Sequence, residues 1–316
     1  MIVISGLRRI SRYRKPVVAL GVFDGMHLAH RRILREAIIH ARSIKGTSVV
    51  VTFYPHPRNK ESLYSLEHRL RLIAQLGVGV CIIIRFNKEF SVISAENFIK
   101  DIVFGKINAR YVYVGKNFRF GKGAQGDIRT LKRLSSIYGF GLKVFNLIRL
   151  NNKPISSTYI RKLITLGKLN LAEKLLLRPV SVLGTVIKGA YLATRLGFPT
   201  ANIDPHHEVL PSAGIYAVRI NFAKSKLRGI CYIGFRPTLK KPKMVNSQKE
   251  RHVEVHIFNF KKNIYGKYLE IEFIKKLRNE KNFRLVSDLV RQVKKDILRA
   301  KKILSLHPYP PQHMPL

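Results

Sequence analysis

The 316-residue sequence has few acidic residues, only two cysteines and no long apolar segment. Cys81 and Cys231 lie far apart, each inside an apolar run, so the chain has neither a disulfide framework nor a zinc knuckle. Charged residues interrupt every apolar run well before the roughly 20 residues that a membrane-spanning helix needs. The N-terminus lacks the apolar region and cleavage site of a signal peptide. We therefore expect an unprocessed cytoplasmic protein with two buried cysteines and no membrane contact.

The shortage of acidic residues leaves a large excess of positive charge. The chain has 59 Lys and Arg against 18 Asp and Glu, a formal net charge of +41, which would attract any polyanion. The basic residues are spread over nearly every segment instead of being gathered into one helix or arm, as a drift in composition would also produce. We expect no dedicated nucleic-acid partner. A basic nucleic-acid-binding protein stays the alternative from a different functional class.

Short apolar strands alternate with helical segments in the first part of the chain, which is long enough overall for two domains. This alternation predicts an α/β domain built on a parallel sheet with helices on both faces. Because ligands of such sheets bind beyond the carboxyl ends of the strands, we expect His27, His56 and Asn117 to converge. The predicted strands are residues 16–23, 48–53, 80–84, 111–114 and 142–147, and the predicted helices are residues 30–44, 66–76, 95–103 and 128–138.

The pattern changes after two further predicted helices, residues 157–166 and 169–176. Short alternating runs at residues 182–187, 215–220, 228–233, 252–258 and 268–273 predict a small antiparallel β-barrel. A last helix, residues 285–305, has apolar residues at helical spacing on one face and can pack onto the barrel. We place the boundary between Arg178 and Pro179, which gives domains at 1–178 and 179–306 and a Pro-rich, disordered tail at 307–316.

Two histidines, His27 and His30, lie three residues apart where the first helix begins. Free backbone N–H groups at a helix N-terminus favour anions, and imidazoles beside a phosphate can donate hydrogen bonds to its developing charge. A helix start that happens to contain two histidines explains this block equally well.

Two further turns have residues suited to anions. Residues 114–123 form a glycine-rich basic loop after a strand, which can bring backbone amides close to phosphate or ribose. Residues 155–161 place hydroxyls at a helix start and Arg161 one turn later. Ser157 alone would be a capping residue, but three such turns on one sheet indicate a nucleotide site.

The blocks GVFDGMHLAH, TFYPHP, GKNFRFGKGAQGD and ISSTYIRKLITLG resemble the bacterial bifunctional riboflavin kinase and FAD synthetase family. The resemblance implies a nucleotidyltransferase-like, Rossmann-like first domain in which the phosphate of FMN attacks the α-phosphorus of ATP and pyrophosphate leaves. It gives His27 and His30 a catalytic role at the ATP phosphates. It also implies that ATP is bound by Gly21, Phe23, Asp24, Asn117, Ser157, Thr158 and Arg161.

One position in the first histidine block differs from the family pattern. Ala29 stands where the family has glycine, and its methyl group could crowd a nucleotide packed on that backbone. A riboflavin kinase with an impaired adenylyltransferase half is therefore a second alternative.

In the second half, two motifs have residues suited to phosphoryl transfer. Thr200 and Asn202 in a Pro-Thr-Ala-Asn turn offer hard oxygen ligands of the kind that Mg²⁺ accepts, although a plain turn has the same residues. The alternation of residues 251–258 puts His252, Glu254 and His256 on one face of a strand. Glu254 there could be a general base, or equally a solvated strand residue.

The blocks GTVIKG, RLGFPTANI, VLPSAGIYAV, IGFRPTL, VEVHIFNF and NIYGKYLEIEFIKKLRNEKNF resemble the riboflavin kinase domain of the same family. The resemblance implies a six-stranded barrel that binds ATP with Mg²⁺ and transfers the γ-phosphate to the 5'-hydroxyl of riboflavin. Thr200 and Asn202 would hold metal and phosphates, Gly189 would lie at the phosphates, and Glu254 would be the base. Arg278 and Phe283 would lie in a flap over the flavin. Ala193 replaces a usual glycine without removing a ligand, and a kinase for another small alcohol would use similar residues.

Overall fold

The computed structural model describes residues 1–57, 62–150, 153–189, 196–235 and 251–309. These residues form two compact units, Met1–Tyr159 and Ile160–Leu316. The boundary at Arg178 and Pro179 stays a prediction, and Ala193 lies outside the described residues. No helix in these ranges is both long enough and apolar enough to cross a membrane.

The first unit is built on a six-stranded parallel sheet with the order β1-β4-β3-β2-β5-β6. The central strands β2, β3 and β4 are buried along almost their whole length, as expected for a parallel sheet covered on both faces. The predicted parallel sheet is confirmed. The strands are β1 (Ile2–Ser5), β2 (Val17–Leu20), β3 (Ser48–Tyr54), β4 (Val80–Arg85), β5 (Tyr111–Gly115) and β6 (Gly141–Phe145).

The strand order reverses between β2 and β5, because β3 and β4 follow on one side of β2 and β6 lies on the other side of β5. Ligands of open α/β sheets bind in the crevice at such a reversal. The histidine block with His27 and His30 follows β2, and the glycine-rich loop at residues 114–123 follows β5. The topology therefore brings both segments to this crevice.

Helices with side-chain caps connect these strands. Ser65, Asp127 and Asn87 each accept a hydrogen bond from a backbone N–H three residues further on, which fixes the start of α2, α5 and α3. The predicted helix at 95–103 becomes a π-helix at Phe98–Lys106. The helices are α1 (Leu28–Ser43), α2 (Leu66–Ala74), α3 (Lys88–Ser91), α4 (Ala95–Asn97) and α5 (Ile128–Tyr138). Two short strands, β7 (Arg149–Leu150) and β8 (Lys153–Pro154), pair antiparallel after β6.

Six antiparallel strands close into a barrel in the second unit, in the order β10-β13-β12-β11-β14-β9. The closed six-stranded barrel is confirmed. The hydrophobic pattern of the sequence did not predict β10 (Ala201–Asp204), because four residues are too few to show alternation. Helices α6 (Ser157–Thr165) and α7 (Leu169–Leu176) precede the barrel, and α8 (Val286–Leu306) follows it. The strands are β9 (Val180–Ile187), β10 (Ala201–Asp204), β11 (Gly214–Phe222), β12 (Ser225–Phe235), β13 (Arg251–Ile257) and β14 (Tyr268–Arg278).

Helix α8 buries Ala300 and Leu304 in one cluster with Ala217, Ile230 and Leu277 of the barrel, which confirms the predicted C-terminal helix. Both cysteines are buried and unpaired. Burial raises the pKa of the Cys81 thiol to about 12, so little reactive thiolate forms.

The first residues of the predicted disordered tail are packed on the barrel. The Tyr309 hydroxyl donates to the Leu227 carbonyl at 2.5 Å and accepts from the Ile220 N–H at 3.0 Å. Arg219 Nη1 donates to the Pro308 carbonyl at 2.9 Å. The Tyr309 hydroxyl therefore satisfies two backbone groups of the barrel, and the disordered tail at 307–316 stays a prediction. Residues 310–316 lie outside the described part of the chain.

Candidate active sites

The first candidate site lies where α1 begins. His27 is the N-cap of α1, and its Nδ1 accepts the His30 N–H at 3.4 Å. The two imidazole rings are stacked, with centroids 3.7 Å apart and planes 18° apart. Because His27 Nδ1 is an acceptor, the proton of its neutral ring is on Nε2. The pair therefore presents imidazole edges at a helix N-terminus, where an anion is favoured.

His30 lies in a position that disfavours its charged form. Burial lowers the pKa of His30 well below its usual range, and the charges of His27 and Arg69 lower it further. The ring also meets the edge of Phe23, with centroids 5.4 Å apart. His30 is therefore a neutral hydrogen-bonding group at neutral pH.

A buried arginine beneath this loop was missed in the sequence. Arg69 of α2 is 2% exposed and donates from Nη1 to the Val22 carbonyl at 2.9 Å and from Nη2 to the Phe53 carbonyl at 3.2 Å. The Arg69 guanidinium interacts electrostatically with the Asp24 carboxylate. Asp24 Oδ1 also accepts the Leu63 N–H at 2.8 Å. These bonds fix the backbone between β2 and α1. The only signal was an arginine on the buried face of α2, beside His68 and Leu72.

Several predicted nucleotide ligands lie around the same loop. A Cβ atom at Gly25 would lie 3.3 Å from Ser157 Oγ and 3.5 Å from the His27 ring, so these side chains are neighbours. At the start of α6, Ser156 Oγ accepts the Tyr159 N–H and makes a capping hydrogen bond. Gly21 lies against the Phe23 ring.

The other predicted ligands of this site are less closely tied to the histidines. Asn117 and Thr158 are exposed, Asn117 in the turn that follows β5. Arg161 belongs to the second unit, so its role beside the first stays a prediction. The convergence of His56 with His27 and Asn117 also stays a prediction.

The second candidate site is a row of side chains across three barrel strands. Asn202 of β10, Glu254 of β13 and Tyr232 of β12 are direct cross-strand neighbours. Thr200 Oγ1 donates to Glu254 Oε2 at 3.2 Å, and His252 Nε2 lies 2.7 Å from Glu254 Oε1. The structure therefore brings together Thr200, Asn202 and Glu254, the three residues to which the family resemblance assigned metal, phosphates and base.

Gly189 packs directly on the Asn202 amide. A Cβ atom at Gly189 would lie 1.8 Å from Asn202 Nδ2, so only glycine fits there. Asn202 is 6% exposed, and its Oδ1 is buried and accepts no hydrogen bond from the described residues. The unsatisfied Asn202 Oδ1 and the Thr200 hydroxyl, two residues apart in the chain, are oxygen ligands of the kind that Mg²⁺ accepts. Mg²⁺ needs few ligands from the protein when phosphates and water supply its other ligands.

A cavity of about 350 Å³ adjoins Thr200. Its lining includes the apolar strand residues Val186, Val255 and Ile257, together with two lysines and a tyrosine of one loop. The loop residues in its wall are Phe260, Lys261, Lys262, Asn263, Ile264 and Tyr265. A lining of apolar side chains and two lysines suits a nucleotide, whose nucleobase is flat and largely apolar and whose polyphosphate is negatively charged.

Comparisons with known proteins match these two units separately. The model for FAD synthetase matches residues 10–159, and the model for riboflavin kinase matches residues 176–304. A protein of Buchnera aphidicola subsp. Schizaphis graminum, named bifunctional riboflavin kinase/FMN adenylyltransferase, is 36% identical over 97% of this chain and 100% of its own length. The chain belongs to this family. The Escherichia coli K12 protein of the same name is 31% identical over 97% of this chain and 99% of its own.

The chain is also similar to a solved structure. A Streptococcus pneumoniae chain described as a macrolide-efflux protein superposes with a TM-score of 0.78 and 27% identity, covering 94% of this chain and 97% of its own. The bifunctional family therefore accounts for both units and for their order, and the nucleic-acid alternative finds no support among these relatives.

In the riboflavin kinase domain, the two predicted flavin ligands contact each other. The Arg278 guanidinium lies over the Phe283 ring at 5.7 Å, and Arg278 Nε donates to the buried Asp296 carboxylate of α8 at 2.9 Å. Asp296 was not predicted from the sequence. An acidic residue on the buried face of the last helix was the available signal.

Two more residues near Glu254 were missed. The Tyr232 hydroxyl donates a hydrogen bond to Glu280, which lies between Arg278 and Phe283 in the chain. Burial, this bond and the negative charges of Glu280 and Glu254 raise the pKa of Tyr232. The phenol therefore stays protonated, and it links the segment after β14 to the row that contains Glu254.

Proposed function

We propose that this chain converts riboflavin to FMN in its second unit and FMN to FAD in its first, with one ATP consumed in each step. Its membership of the bifunctional family, with both domains present over nearly the full length of its relatives, supports the pair of reactions. The observation that carries the kinase half is the row of Asn202, Glu254 and Tyr232, connected by the Thr200–Glu254 hydrogen bond to a cavity that Thr200 and two lysines line.

In the kinase half, ATP occupies the cavity with its phosphates towards Thr200 and Asn202. Glu254 accepts the proton of the 5'-hydroxyl of riboflavin as that oxygen attacks the γ-phosphorus. The Thr200 hydroxyl points its proton at Glu254, which leaves its lone pairs for a cation. Asn202 and Thr200 hold Mg²⁺, which when bound neutralises phosphate charge. His252 keeps the Glu254 carboxylate in place.

In the adenylyltransferase half, the ATP phosphates lie at the N-terminus of α1. His27 and the neutral His30 donate hydrogen bonds to the phosphates, and Ser157 contacts them from the neighbouring turn. The FMN phosphate attacks the α-phosphorus and pyrophosphate leaves, so this step needs charge stabilisation more than proton transfer. Gly21, Phe23, Asp24, Asn117, Thr158 and Arg161 complete the ATP site in this proposal.

Three further features belong to the same proposal. The domain at 1–178 catalyses adenylyl transfer, and the domain at 179–306 catalyses the kinase reaction. Arg278 and Phe283 contact the flavin of the kinase reaction. Both reactions take place in the cytoplasm, where free cysteines such as Cys81 and Cys231 are stable.

Product analysis tests the proposal. The purified chain is incubated with riboflavin, ATP and Mg²⁺, and FMN and FAD are followed separately over time, with wild type, Glu254→Gln and His27→Ala run side by side. In wild type, FMN appears first and FAD follows. Glu254→Gln lowers FMN formation by about 100-fold or more while FAD still forms from added FMN. His27→Ala has the opposite effect, so each variant is the control for the other.

Each other result has a defined meaning. If neither product forms in wild type, the proposal is overturned. If FMN accumulates without FAD, the first unit is impaired, and recovery of FAD in Ala29→Gly would assign that defect to the Ala29 methyl group.

A further inference from the structure

The side chains of Tyr232 and Glu280 meet directly above the strand pair β12 and β13. A Cβ atom at Gly234 would lie 1.9 Å from the Tyr232 hydroxyl oxygen and 2.8 Å from Glu280 Oε1, so both groups lie over that glycine. Gly234 is the cross-strand neighbour of His252, which contacts Glu254. Glu280 is therefore held beside the Glu254 row by a hydrogen bond, although it belongs to a segment beyond the barrel strands.

This segment, residues 279–285, has few other anchors. Every residue in it is exposed except Phe283, which is partly buried. At its start, Arg278 is bound to Asp296 of α8. The rings and cations within it contact one another, with Lys281 5.6 Å from the Phe283 ring. Among the described residues, the Tyr232 bond is the hydrogen bond that ties this segment to the face of the barrel.

The order of the strands decides which substrate this contact concerns. Glu254 lies between Asn202 on one side and Tyr232 on the other. The cavity proposed for the nucleotide is lined by Thr200 and Ala201, at the start of the strand that contains Asn202, and Tyr232 is not among its lining residues. In phosphoryl transfer the attacking and leaving oxygens are roughly in line on opposite sides of the phosphorus. The acceptor alcohol therefore approaches Glu254 from the Tyr232 side.

The chemistry of the contact suits that acceptor. A carboxylate beside a tyrosine repels phosphate groups and accepts hydrogen bonds from hydroxyls. The acceptor of the proposed kinase reaction, riboflavin, is uncharged and has a side chain rich in hydroxyls. We propose that the Tyr232–Glu280 hydrogen bond is a latch that holds residues 279–285 over the acceptor side of the Glu254 site, and that both are positioning residues for riboflavin. This inference rests on the proposed kinase function.

Steady-state kinetics of FMN formation test the latch with the full-length chain. Tyr232→Phe and Glu280→Gln each remove the hydrogen bond with little change of shape, and Tyr309→Phe is the matched control because its hydroxyl bonds to a different part of the barrel. Loss of a hydrogen bond to a charged group predicts a KM for riboflavin about tenfold higher in both variants. The KM for ATP stays within about twofold, and the double variant is no worse than either single one, since both lose the same bond.

The outcomes separate the latch from the function on which it rests. A KM for riboflavin that stays at the wild-type value overturns the latch, as does a double variant in which the two losses add. A parallel rise of both KM values, shared with Tyr309→Phe, assigns the contact to barrel stability and also overturns it. If wild type forms no FMN, the proposed kinase function fails first and the latch fails with it.

Discussion

Gly189 is the residue at which backbone and site approach most closely. Its Cα faces the Asn202 amide, and a Cβ would meet Nδ2 at 1.8 Å. We expect Gly189→Ala to displace the Asn202 side chain and lower kcat/KM for FMN formation by about 10- to 100-fold, because a misplacement near 1 Å has effects of that size. Steady-state kinetics with varied ATP measures the loss. Gly115→Ala, whose Cβ meets nothing closer than 3.7 Å, should leave FMN formation unchanged. Equal loss in both variants would contradict this steric explanation.

His30 gives the first unit a pH-dependent stability. Its folded-state pKa is lowered well below the 6.5 of an unperturbed histidine, by burial first and then by His27 and Arg69. Below pH 6.5 the unfolded chain therefore binds more protons at this position than the folded chain, and the free energy of unfolding falls as pH decreases. Above that pH the effect vanishes. Urea unfolding of wild type and His30→Asn from about pH 7.5 to 5 should show a difference that shrinks towards acid.

The control for this titration is a histidine on the surface. His307 is exposed and belongs to the second unit, so His307→Asn should follow the wild-type pH dependence of the first unit. A constant difference between wild type and His30→Asn over the whole range would mean that His30 is not titrating below its usual pKa.

At the scale of single residues, the sequence predicted those parts of the sites that lie in recognisable motifs. Thr200 and Asn202 are in one motif, and Glu254 is on one face of a recognisable strand, so pattern and resemblance were enough. Tyr232 and Glu280 are 48 positions apart, and only closure of the barrel brings them together. Arg69 was missed because its two partners are backbone carbonyls, which leave no trace in a sequence.

Helix α8 is the element whose packing can be tested most directly. Leu304 is fully buried in the cluster between α8 and the barrel, while Leu298 on the same helix is 67% exposed. We expect Leu304→Ala to lower the free energy of unfolding of the second unit by about 2–5 kcal/mol, through lost burial and the cavity left behind. Leu298→Ala should change it by less than about 0.5 kcal/mol. Denaturant unfolding measures both, and similar values for the two would contradict the observed face of the helix.

The elements themselves were predictable to different degrees for physical reasons. The strands β2, β3 and β4 are nearly continuous apolar runs, and β11 to β14 are each at least seven residues long, so these segments are long enough to detect. Strand β10 has four residues and pairs with β9 and β13 through backbone bonds that its composition does not reveal. The tail prediction relied on proline content, and the hydrogen bonds of the Tyr309 hydroxyl to β11 and β12 could not be read from composition.

On the scale of the whole molecule, acidic residues are scarce, and several carboxylates of the barrel unit form specific hydrogen bonds. Glu272 binds the buried Arg219 at 2.9 Å, and Glu208 accepts the Leu183 N–H at 3.0 Å. Asp296, Glu254 and Glu280 hold the groups described above. Each of these five carboxylates therefore has a hydrogen-bonding partner within the described residues.

The extent of the second unit is the remaining question at this scale. Helix α7 contacts β9 and β14 and buries Leu169, Ala172, Leu175 and Leu176, so it packs on the barrel, while the boundary at Arg178 stays a prediction. A fragment of residues 160–316 should therefore be more stable than one of residues 179–316, by at least about 3 kcal/mol for four buried apolar side chains. Urea unfolding of the two fragments measures the difference. Equal free energies of unfolding would instead support the boundary between Arg178 and Pro179.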